Sequence, residues 1–217
     1  MPAGLVYNRA MSKARAKKIK LLLFDVDGVM TDGTIWLFPA PTGAQRSTDD
    51  QARVHADKGG FGIISQSVIE AKGFHAHDGS GMSMARIGGL KLGIITKRIS
   101  ETVALRARDL KLEHVYQGAH DKVSAFEEIL QKEHLDAKQA AYVGDDVIDL
   151  PVMRCCGLAI ATANAREEVK AEAHYVTRHR GGEGACRDAV EYILRAQGTW
   201  EEAVNKYISE RSPKARQ

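Results

Sequence analysis

Residues 21–33 read LLLFDVDGVMTDG and decide the fold of this 217-residue chain. A run of large apolar residues leads directly into two aspartates, Asp25 and Asp27. A short apolar run bounded by a charged residue and by glycine is typical of a strand covered on both faces of a parallel sheet. Because successive side chains of a strand alternate, Asp25 and Asp27 share one face and Val26 points away. The stretch therefore predicts paired carboxylates at the carboxyl end of a buried strand, where open α/β sheets bind ligands.

Paired carboxylates in this position suit the transfer of a phosphoryl group. One carboxylate can attack phosphorus to form an aspartyl-phosphate, and the other can donate and later recover a proton. A turn or a helix cap rich in aspartate would give the same Asp-x-Asp-Gly letters, so both interpretations stay open for this stretch alone.

Three later segments place polar residues at the ends of predicted elements. Leu92–Thr96 predicts a short strand that ends in a hydroxyl, and a helix predicted to start near Ser100 adds backbone donors for phosphate. Lys122 opens an amphipathic helix and could neutralise charge on a phosphoryl group. Residues 140–149 read AAYVGDDVID and predict a strand running into acidic residues, an oxygen cluster suited to Mg²⁺. A structural threonine or a solvated lysine is common, so the second acidic strand end is the strongest signal.

Two carboxylate-tipped strands, with a threonine-tipped strand and a lysine between them in chain order, resemble the haloacid dehalogenase superfamily. Within it, the chain resembles the small phosphatases that lack a large cap and act on 3-deoxy-D-manno-octulosonate 8-phosphate, with close relatives acting on nine-carbon ulosonate phosphates. The resemblance extends from about Ile19 to Ile208, outside an insertion. It rests on four stretches, which are DVDGVMTDG at 25–33, YQG at 116–118 with Asp121-Lys122, YVGDDVIDLPVM at 142–153, and YVT at 175–177 with GGEGACR at 181–187.

The resemblance implies catalytic roles for four residues. It matches Asp25 to the nucleophile and Asp27 to the general acid and base. Thr96 matches the hydroxyl that binds phosphate, and Lys122 matches the lysine that stabilises negative charge.

Mg²⁺ is the cofactor that the resemblance implies. Asp25 and Asp145 would bind it through carboxylate oxygens and Asp27 through its backbone carbonyl. Asp146 and Asp149 would organise bound water or the lysine. The cation agrees with the electrostatics, because an anionic carboxylate must approach a phosphate dianion.

Six further residues are candidates for substrate contacts, namely His77, Asp78, Lys97, Arg98, Glu183 and Arg187. Lys97 and His77 depart from the relatives, which usually carry glycine and arginine there. His77 is expected in the strand that returns from a flap, and an exposed flap residue is the alternative. For Glu183 and Arg187, substrate or subunit contact and a helix-start loop with a surface ion pair stay equally open.

The expected fold class is α/β, a doubly wound, mainly parallel, Rossmann-like sheet of the haloacid dehalogenase type with a small β-hairpin flap and no large cap domain. We expect a basic, solvated N-terminal extension at 1–18, the phosphatase domain at 19–198, and a C-terminal helix and tail at 199–217. The flap with its insertion occupies about 33–78.

The insertion itself, about 39–71, is longer than a flap turn requires. It could cover the site, contact a neighbouring subunit or lie in solvent, and Phe61–Ile64 could extend a strand. Further along the chain, Asn164 is expected to cap the helix that follows the Leu158–Ala161 strand.

Composition excludes several classes of protein. With 44% hydrophobic residues and no long apolar span, the chain can form one sizeable soluble core. Leu5–Tyr7 is too short for a signal-peptide core, so the cytoplasm is the expected compartment. The three cysteines form no CxxC pair, which argues against a disulfide framework or a zinc site. A net charge of +3, concentrated at the chain ends, argues against nucleic acid as a partner.

The resemblance therefore predicts a Mg²⁺-dependent phosphatase that hydrolyses 3-deoxy-D-manno-octulosonate 8-phosphate, an acidic sugar phosphate of lipopolysaccharide synthesis. The resemblance also implies a homotetramer, whereas composition predicts a cytoplasmic protein with no membrane partner. A nine-carbon ulosonate 9-phosphate or another sugar phosphate is the alternative substrate. The alternative from another class is a noncatalytic subunit that binds a phosphosugar or a metal, and the intact set of acidic, threonine and lysine residues argues against it.

Overall fold

The computed structural model describes residues 9–39, 61–62 and 68–211. Most of the expected insertion lies outside the described residues. The described strands are β1 (Leu21–Phe24), β2 (Trp36–Pro39), β3 (Phe61–Gly62), β4 (Val68–Ala71), β5 (Lys91–Thr96), β6 (Arg98–Ile99), β7 (His114–Gln117), β8 (Ala140–Gly144), β9 (Leu158–Ala161) and β10 (Tyr175–Val176). The described helices are α1 (Arg9–Ala16), α2 (Ala76–Ile87), α3 (Glu101–Asp109), α4 (Lys122–Glu133), α5 (Leu150–Cys155), α6 (Glu167–Glu172), α7 (Ala185–Gln197) and α8 (Trp200–Arg211).

A six-stranded sheet in the order β10-β9-β8-β1-β5-β7 forms the centre of the molecule. Every neighbouring pair in it is parallel. The chain moves outward from β1 through β5 to β7, and then returns to the other side of β1 for β8. The order of the strands therefore reverses between β1 and β8, which confirms the doubly wound sheet and places a ligand crevice at the tips of these two strands.

Both faces of the sheet are covered by helices, as the uninterrupted apolar run of β1 predicts. Leu22 and Phe24 pack into the core beneath α2, α7 and α1, whereas Leu21 and Leu23 pack into the core beneath α4 and α5. Each of these side chains is fully buried, and burying one such side chain contributes roughly 1.5–3 kcal/mol. This burial fixes β1 in the sheet and so fixes the direction in which the following aspartates leave it.

The expected flap is present as a separate antiparallel pair of strands. Trp36 pairs with Ala71 and Pro39 pairs with Val68, which joins β2 to β4. The strand expected near Phe61 is also found, as the short β3 beside β6.

Two local expectations are wrong. His77 lies in the first turn of helix α2 rather than in a returning strand, because the chain already leaves the flap sheet at Ala71. Asn164 does not cap α6, whose N-cap position is occupied by Arg166. In the described part of the N-terminal extension the lysines are exposed, and Ser12 and Ala16 of helix α1 are buried.

None of the described helices is long and apolar enough to cross a membrane.

Candidate active site

A cavity of about 320 Å³ opens at the carboxyl ends of β1, β5 and β8. Its lining comes from the ends of these strands and the segments that follow them, including Arg98 of β6, and Asn164 after β9 adds to it. The lining residues are Asp25, Asp27, Gly28, Asp32, Gly33, Thr96, Lys97, Arg98, Asp145, Asp146, Ile148 and Asn164. The strand order thus brings together polar residues that are up to 139 positions apart in the sequence, from Asp25 to Asn164.

Lys122 links the two acidic strand ends beneath the floor of this cavity. Its Nζ lies 2.8 Å from Asp25 Oδ2 and 2.7 Å from Asp149 Oδ1, and all three side chains are nearly inaccessible to solvent. Lys122 is the first residue of helix α4. The Asp121 side chain caps this helix by accepting hydrogen bonds from Val123 N and Ser124 N, which fixes the position of the lysine. Burial lowers the pKa of Lys122, but the charges of Asp25 and Asp149 outweigh burial and raise the pKa, so the lysine stays a cation.

Asp149 has all its carboxylate positions engaged within the protein. Oδ1 accepts hydrogen bonds from Lys122 Nζ and from the Tyr142 hydroxyl at 2.9 Å. Oδ2 accepts from the backbone N–H groups of Asp145 at 3.0 Å and Asp146 at 3.3 Å. Asp149 therefore orients the lysine and the loop after β8.

Of the clustered carboxylates of Asp25, Asp145 and Asp149, those of Asp25 and Asp145 line the cavity. Asp145 packs against Gly28, so closely that a Cβ on Gly28 would lie 2.1 Å from Asp145 Oδ2. Asp25 Oδ1 accepts a hydrogen bond from Val26 N at 2.7 Å, which orients its carboxylate.

The acidic cluster carries more negative charge than the protein neutralises. The carboxylates of Asp25, Asp145 and Asp149 face one ammonium, that of Lys122, which leaves a formal excess of two negative charges. Burial raises the pKa of Asp25 to about 7; Lys122 opposes this shift and Asp149 adds to it. Burial, together with the charges of Asp25 and Asp149, raises the pKa of Asp145 to about 8. A dication at this point would offset the excess and favour the ionised carboxylates.

The donor set fits a hard divalent cation. Ligand oxygens of Asp25, Asp145 and Asp149 lie within 4.8 Å of one another. Carboxylate oxygens with no thiol or imidazole among them are the ligands that Mg²⁺ prefers. Because Asp149 is engaged by four internal donors, Asp25 and Asp145 are the carboxylates available to such an ion.

Asp27 is held by cations from two other elements. Lys72, the residue after β4, places its Nζ 2.5 Å from Asp27 Oδ1. Arg98 of β6 places its Nε 3.6 Å from Asp27 Oδ2. Glu70 of β4 binds the same two cations, with Arg98 Nη2 at 2.9 Å and Lys72 Nζ at 3.7 Å. The flap is thus joined to the loop after β1 by a network of alternating charges.

Thr96 ends β5 and lines the cavity beside Lys97 and Arg98, although only 2% of Thr96 is exposed. Helix α3 begins shortly after it, as predicted, with Ser100 at the N-cap accepting a hydrogen bond from Val103 N at 3.4 Å. The hydroxyl and two cations give this side of the cavity the groups that an anionic substrate requires.

The other four substrate candidates do not line the cavity of the described residues. His77 is exposed on α2, and Glu183 is exposed in the loop before α7. Asp78 is buried and accepts a hydrogen bond from Arg187 N at 2.9 Å, so it links α2 to the N-terminus of α7. The Arg187 side chain pairs with Glu191 at 2.7 Å and lies over the ring of Trp200.

The 3-deoxy-D-manno-octulosonate 8-phosphate phosphatase of Escherichia coli strain K12 is 36% identical to this chain over 195 residues, which cover 90% of this chain and 89% of that enzyme. This chain belongs to the 3-deoxy-D-manno-octulosonate 8-phosphate phosphatase family. The model of the haloacid dehalogenase-like hydrolase family matches residues 94–186.

Solved structures of this phosphatase family have the same fold. The enzyme of Yersinia pestis is 36% identical, with a TM-score of 0.73 over 88% of this chain and 89% of that one. The enzyme of Moraxella catarrhalis, solved with magnesium, phosphate and 3-deoxy-D-manno-octulosonate, is 32% identical, with a TM-score of 0.74 over 90% of this chain and 97% of that one. The fold expected from the resemblance, with no large cap among the described residues, is confirmed.

Four residues around the site of this phosphatase fold make contacts that the sequence did not predict. Lys72 and Glu70 lie in the flap, where nothing in the local pattern relates them to Asp27. Tyr142 interrupts an otherwise small and aliphatic strand, which is a signal that a buried hydroxyl has a partner. Asn164 donates a hydrogen bond to Gly28 O at 2.9 Å and accepts one from Gly181 N at 2.6 Å, and this role across the fold has no local signature.

Proposed function

We propose that this protein is a Mg²⁺-dependent phosphatase that hydrolyses 3-deoxy-D-manno-octulosonate 8-phosphate to 3-deoxy-D-manno-octulosonate and phosphate. The arrangement of Asp25 carries the proposal. Its Oδ2 lies 2.8 Å from Lys122 Nζ, it shares the acidic cluster with Asp145, and Asp27 lines the same cavity two residues later. Family membership supports the choice of substrate, and the site contains groups suited to each step of the reaction.

In the first step, a carboxylate oxygen of Asp25 forms a bond to phosphorus while the ester bond to the sugar oxygen breaks. Asp27 gives a proton to that oxygen, and the sugar leaves as an alcohol. In the second step, water attacks phosphorus, its proton passes to Asp27, and the bond from phosphorus to Asp25 breaks. Phosphate leaves and both aspartates return to their starting states.

Charge stabilisation accounts for the remaining residues. Lys122 touches the nucleophile and, with Thr96, neutralises negative charge on the transferring group. Asp25 and Asp145, with the backbone carbonyl of Asp27, would hold Mg²⁺, which when bound offsets the repulsion between carboxylate and phosphate. Asp149 orients Lys122 by a hydrogen bond of 2.7 Å, and Asp146 lines the cavity next to Asp145, where it would organise water bound to the metal.

The carboxylate end of the substrate requires cations in the cavity besides Lys122, which contacts Asp25. We assign Lys97 and Arg98 to this contact, because they line the cavity beside Thr96. His77, Asp78, Glu183 and Arg187 are not assigned to it within one chain, since they lie outside the lining.

Phosphate release by the purified protein with Mg²⁺ tests the proposal across a panel of sugar phosphates. We expect the highest kcat/KM with 3-deoxy-D-manno-octulosonate 8-phosphate, ahead of a nine-carbon ulosonate 9-phosphate. The Asp25→Asn variant keeps its fold and loses turnover by roughly 10⁴-fold or more, because the nucleophile is removed. Preference for the nine-carbon substrate would change the assigned substrate and keep the mechanism. No release from any substrate would favour a noncatalytic binding subunit.

The proposal includes a cytoplasmic homotetramer in lipopolysaccharide sugar synthesis. The flap supports the assembly, because its apolar side chains are exposed on a single chain. Trp36 is 58%, Phe38 is 47% and Ile69 is 43% exposed. Large apolar side chains clustered on a surface are typical of an interface.

A further inference from the structure

Lys72 is a buried cation that reaches the site from the flap. No part of its side chain is exposed, and its Nζ lies 2.5 Å from Asp27 Oδ1. Removing an ammonium group from water costs several kcal/mol unless carboxylates compensate it, and Asp27 and Glu70 are the carboxylates beside it. Lys72 does not line the cavity, so it acts on the cavity through Asp27.

The contact with Lys72 gives the two carboxylate oxygens of Asp27 different roles. Oδ1 is held by Lys72, whereas Oδ2 lies 3.6 Å from Arg98 Nε, beyond hydrogen-bond distance. The Asp27 side chain is 24% exposed and faces the cavity. Fixing one oxygen of a carboxylate fixes the direction of the other, which leaves Oδ2 as the atom that can exchange a proton with a ligand.

Glu70 fixes the position of Lys72 in turn. Its Oε1 accepts a hydrogen bond from Ser100 Oγ at 2.6 Å and its Oε2 accepts one from Arg98 Nη2 at 2.9 Å. Its backbone carbonyl accepts a third from Thr102 Oγ1 at 2.9 Å. Through these bonds β4 is tied to the start of α3, so the Lys72 backbone is fixed relative to the sheet that carries Asp27.

We propose that Lys72 is the positioning residue for the proton-transferring carboxylate, Asp27. The inference rests on the proposed function, in which Asp27 Oδ2 gives its proton to the bridging oxygen as the ester bond to phosphorus breaks. Lys72 keeps its own protons throughout and holds Asp27 so that Oδ2 meets that oxygen. The flap therefore positions the general acid of the reaction, Asp27.

Dependence on the leaving group tests this role. A sugar alkoxide needs a proton to leave, whereas p-nitrophenolate leaves without one. We expect Lys72→Met to lower kcat/KM on the best alkyl phosphate of the panel by about 10²-fold, the effect of a misplaced catalytic group, and to leave kcat/KM on p-nitrophenyl phosphate close to that of the wild type. The kcat/KM values are compared because they include steps only up to the departure of the alcohol.

Three variants serve as references. Lys91→Met makes the same chemical change at the amino end of β5, away from the cavity, where the lysine side chain is 51% exposed. We expect this variant to keep full activity on both substrates. Lys72→Arg keeps the charge and recovers part of the lost activity on the alkyl phosphate. Asp27→Asn shows the full leaving-group dependence, and adding Lys72→Met to it produces no further loss.

Equal loss on both phosphate esters, or additive losses in the double variant, would overturn the positioning role. Thermal unfolding and light scattering on each variant detect a flap that fails to fold. A Lys72→Met protein that unfolds shifts the comparison to Lys72→Arg, whose loss must again be confined to the alkyl substrate. Failure of the proposed function is seen separately, because the wild-type protein would then release no phosphate from 3-deoxy-D-manno-octulosonate 8-phosphate.

Discussion

At Gly28, the absence of a side chain decides where the carboxylate of Asp145 can lie. Gly28 has a φ of +82°, in the region that side chains rarely adopt, and a Cβ there would lie 2.1 Å from Asp145 Oδ2. The chain can therefore turn sharply after Asp27 and still let the second acidic strand end approach the first. One residue thus serves both the turn and the proposed metal site.

We expect Gly28→Ala to lose stability and activity together. The positive φ costs of order 1–3 kcal/mol, and the methyl group must displace Asp145. Gly89→Ala is the matched control, because Gly89 has a φ of +85° with open space around its Cβ position. In denaturant unfolding we expect Gly28→Ala to lose at least as much free energy of unfolding as Gly89→Ala, and in turnover assays we expect only Gly28→Ala to lose activity. Full activity in Gly28→Ala would contradict the close approach.

Single residues differ in how far the sequence predicts them. The positions of Asp25, Asp27 and Asp145 are predictable, because each lies within three residues of the end of an apolar strand and the ends of parallel strands meet. Lys72 is not predictable, because its partner Asp27 lies 45 positions away and follows a strand of a different sheet. No local periodicity encodes a contact of that kind.

At the scale of elements, the flap presents two different faces. In the β2–β4 pair, Leu37 lies opposite Glu70, whereas Phe38 lies opposite Ile69. Paired residues share a face and neighbours alternate, so Phe38 and Ile69 lie on the face away from Glu70. Glu70 faces the site, and the apolar face remains for contact with another surface.

Phe38→Asp is expected to weaken the proposed tetramer. A carboxylate in a buried apolar interface loses its hydration without a partner, so assembly becomes unfavourable. Light scattering after size-exclusion chromatography measures the change, with the wild type as a tetramer and the variant as smaller species. Leu105→Asp on α3, where the leucine is 49% exposed, is the control and remains tetrameric. A monomeric wild-type protein would make the assembly proposal wrong.

Across the whole molecule, the acidic cluster links stability to pH and to cations. The pKa values of Asp25, about 7, and Asp145, about 8, lie above their usual value near 4. The folded state therefore holds these protons more tightly than the unfolded chain does. The resulting stability is fully present below about pH 4 and is lost as the pH rises to about 8.

The metal-free protein should therefore have a Tm that falls by several degrees between about pH 5 and pH 8. Millimolar Mg²⁺ should raise the Tm more at the higher pH, where the ligands are ionised in the folded state. Thermal unfolding with and without chelator measures both effects. The Asp145→Asn variant provides the control and should show a flatter profile with a smaller response to Mg²⁺. A Mg²⁺ effect that is equal at both pH values would contradict the assignment.

The amino-acid sequence by itself determined the doubly wound sheet, the buried β1 and the acidic strand ends. These features depend on local apolar runs and on the direction in which a strand ends, and both can be read over a few residues. The tertiary structure alone decided that Lys72 and Glu70 of the flap hold Asp27, that Asn164 spans two loops, and that Asp78 and Arg187 join helices away from the cavity. Such contacts join residues far apart in sequence, and their geometry arises only when the packed sheet and helices bring those residues within reach.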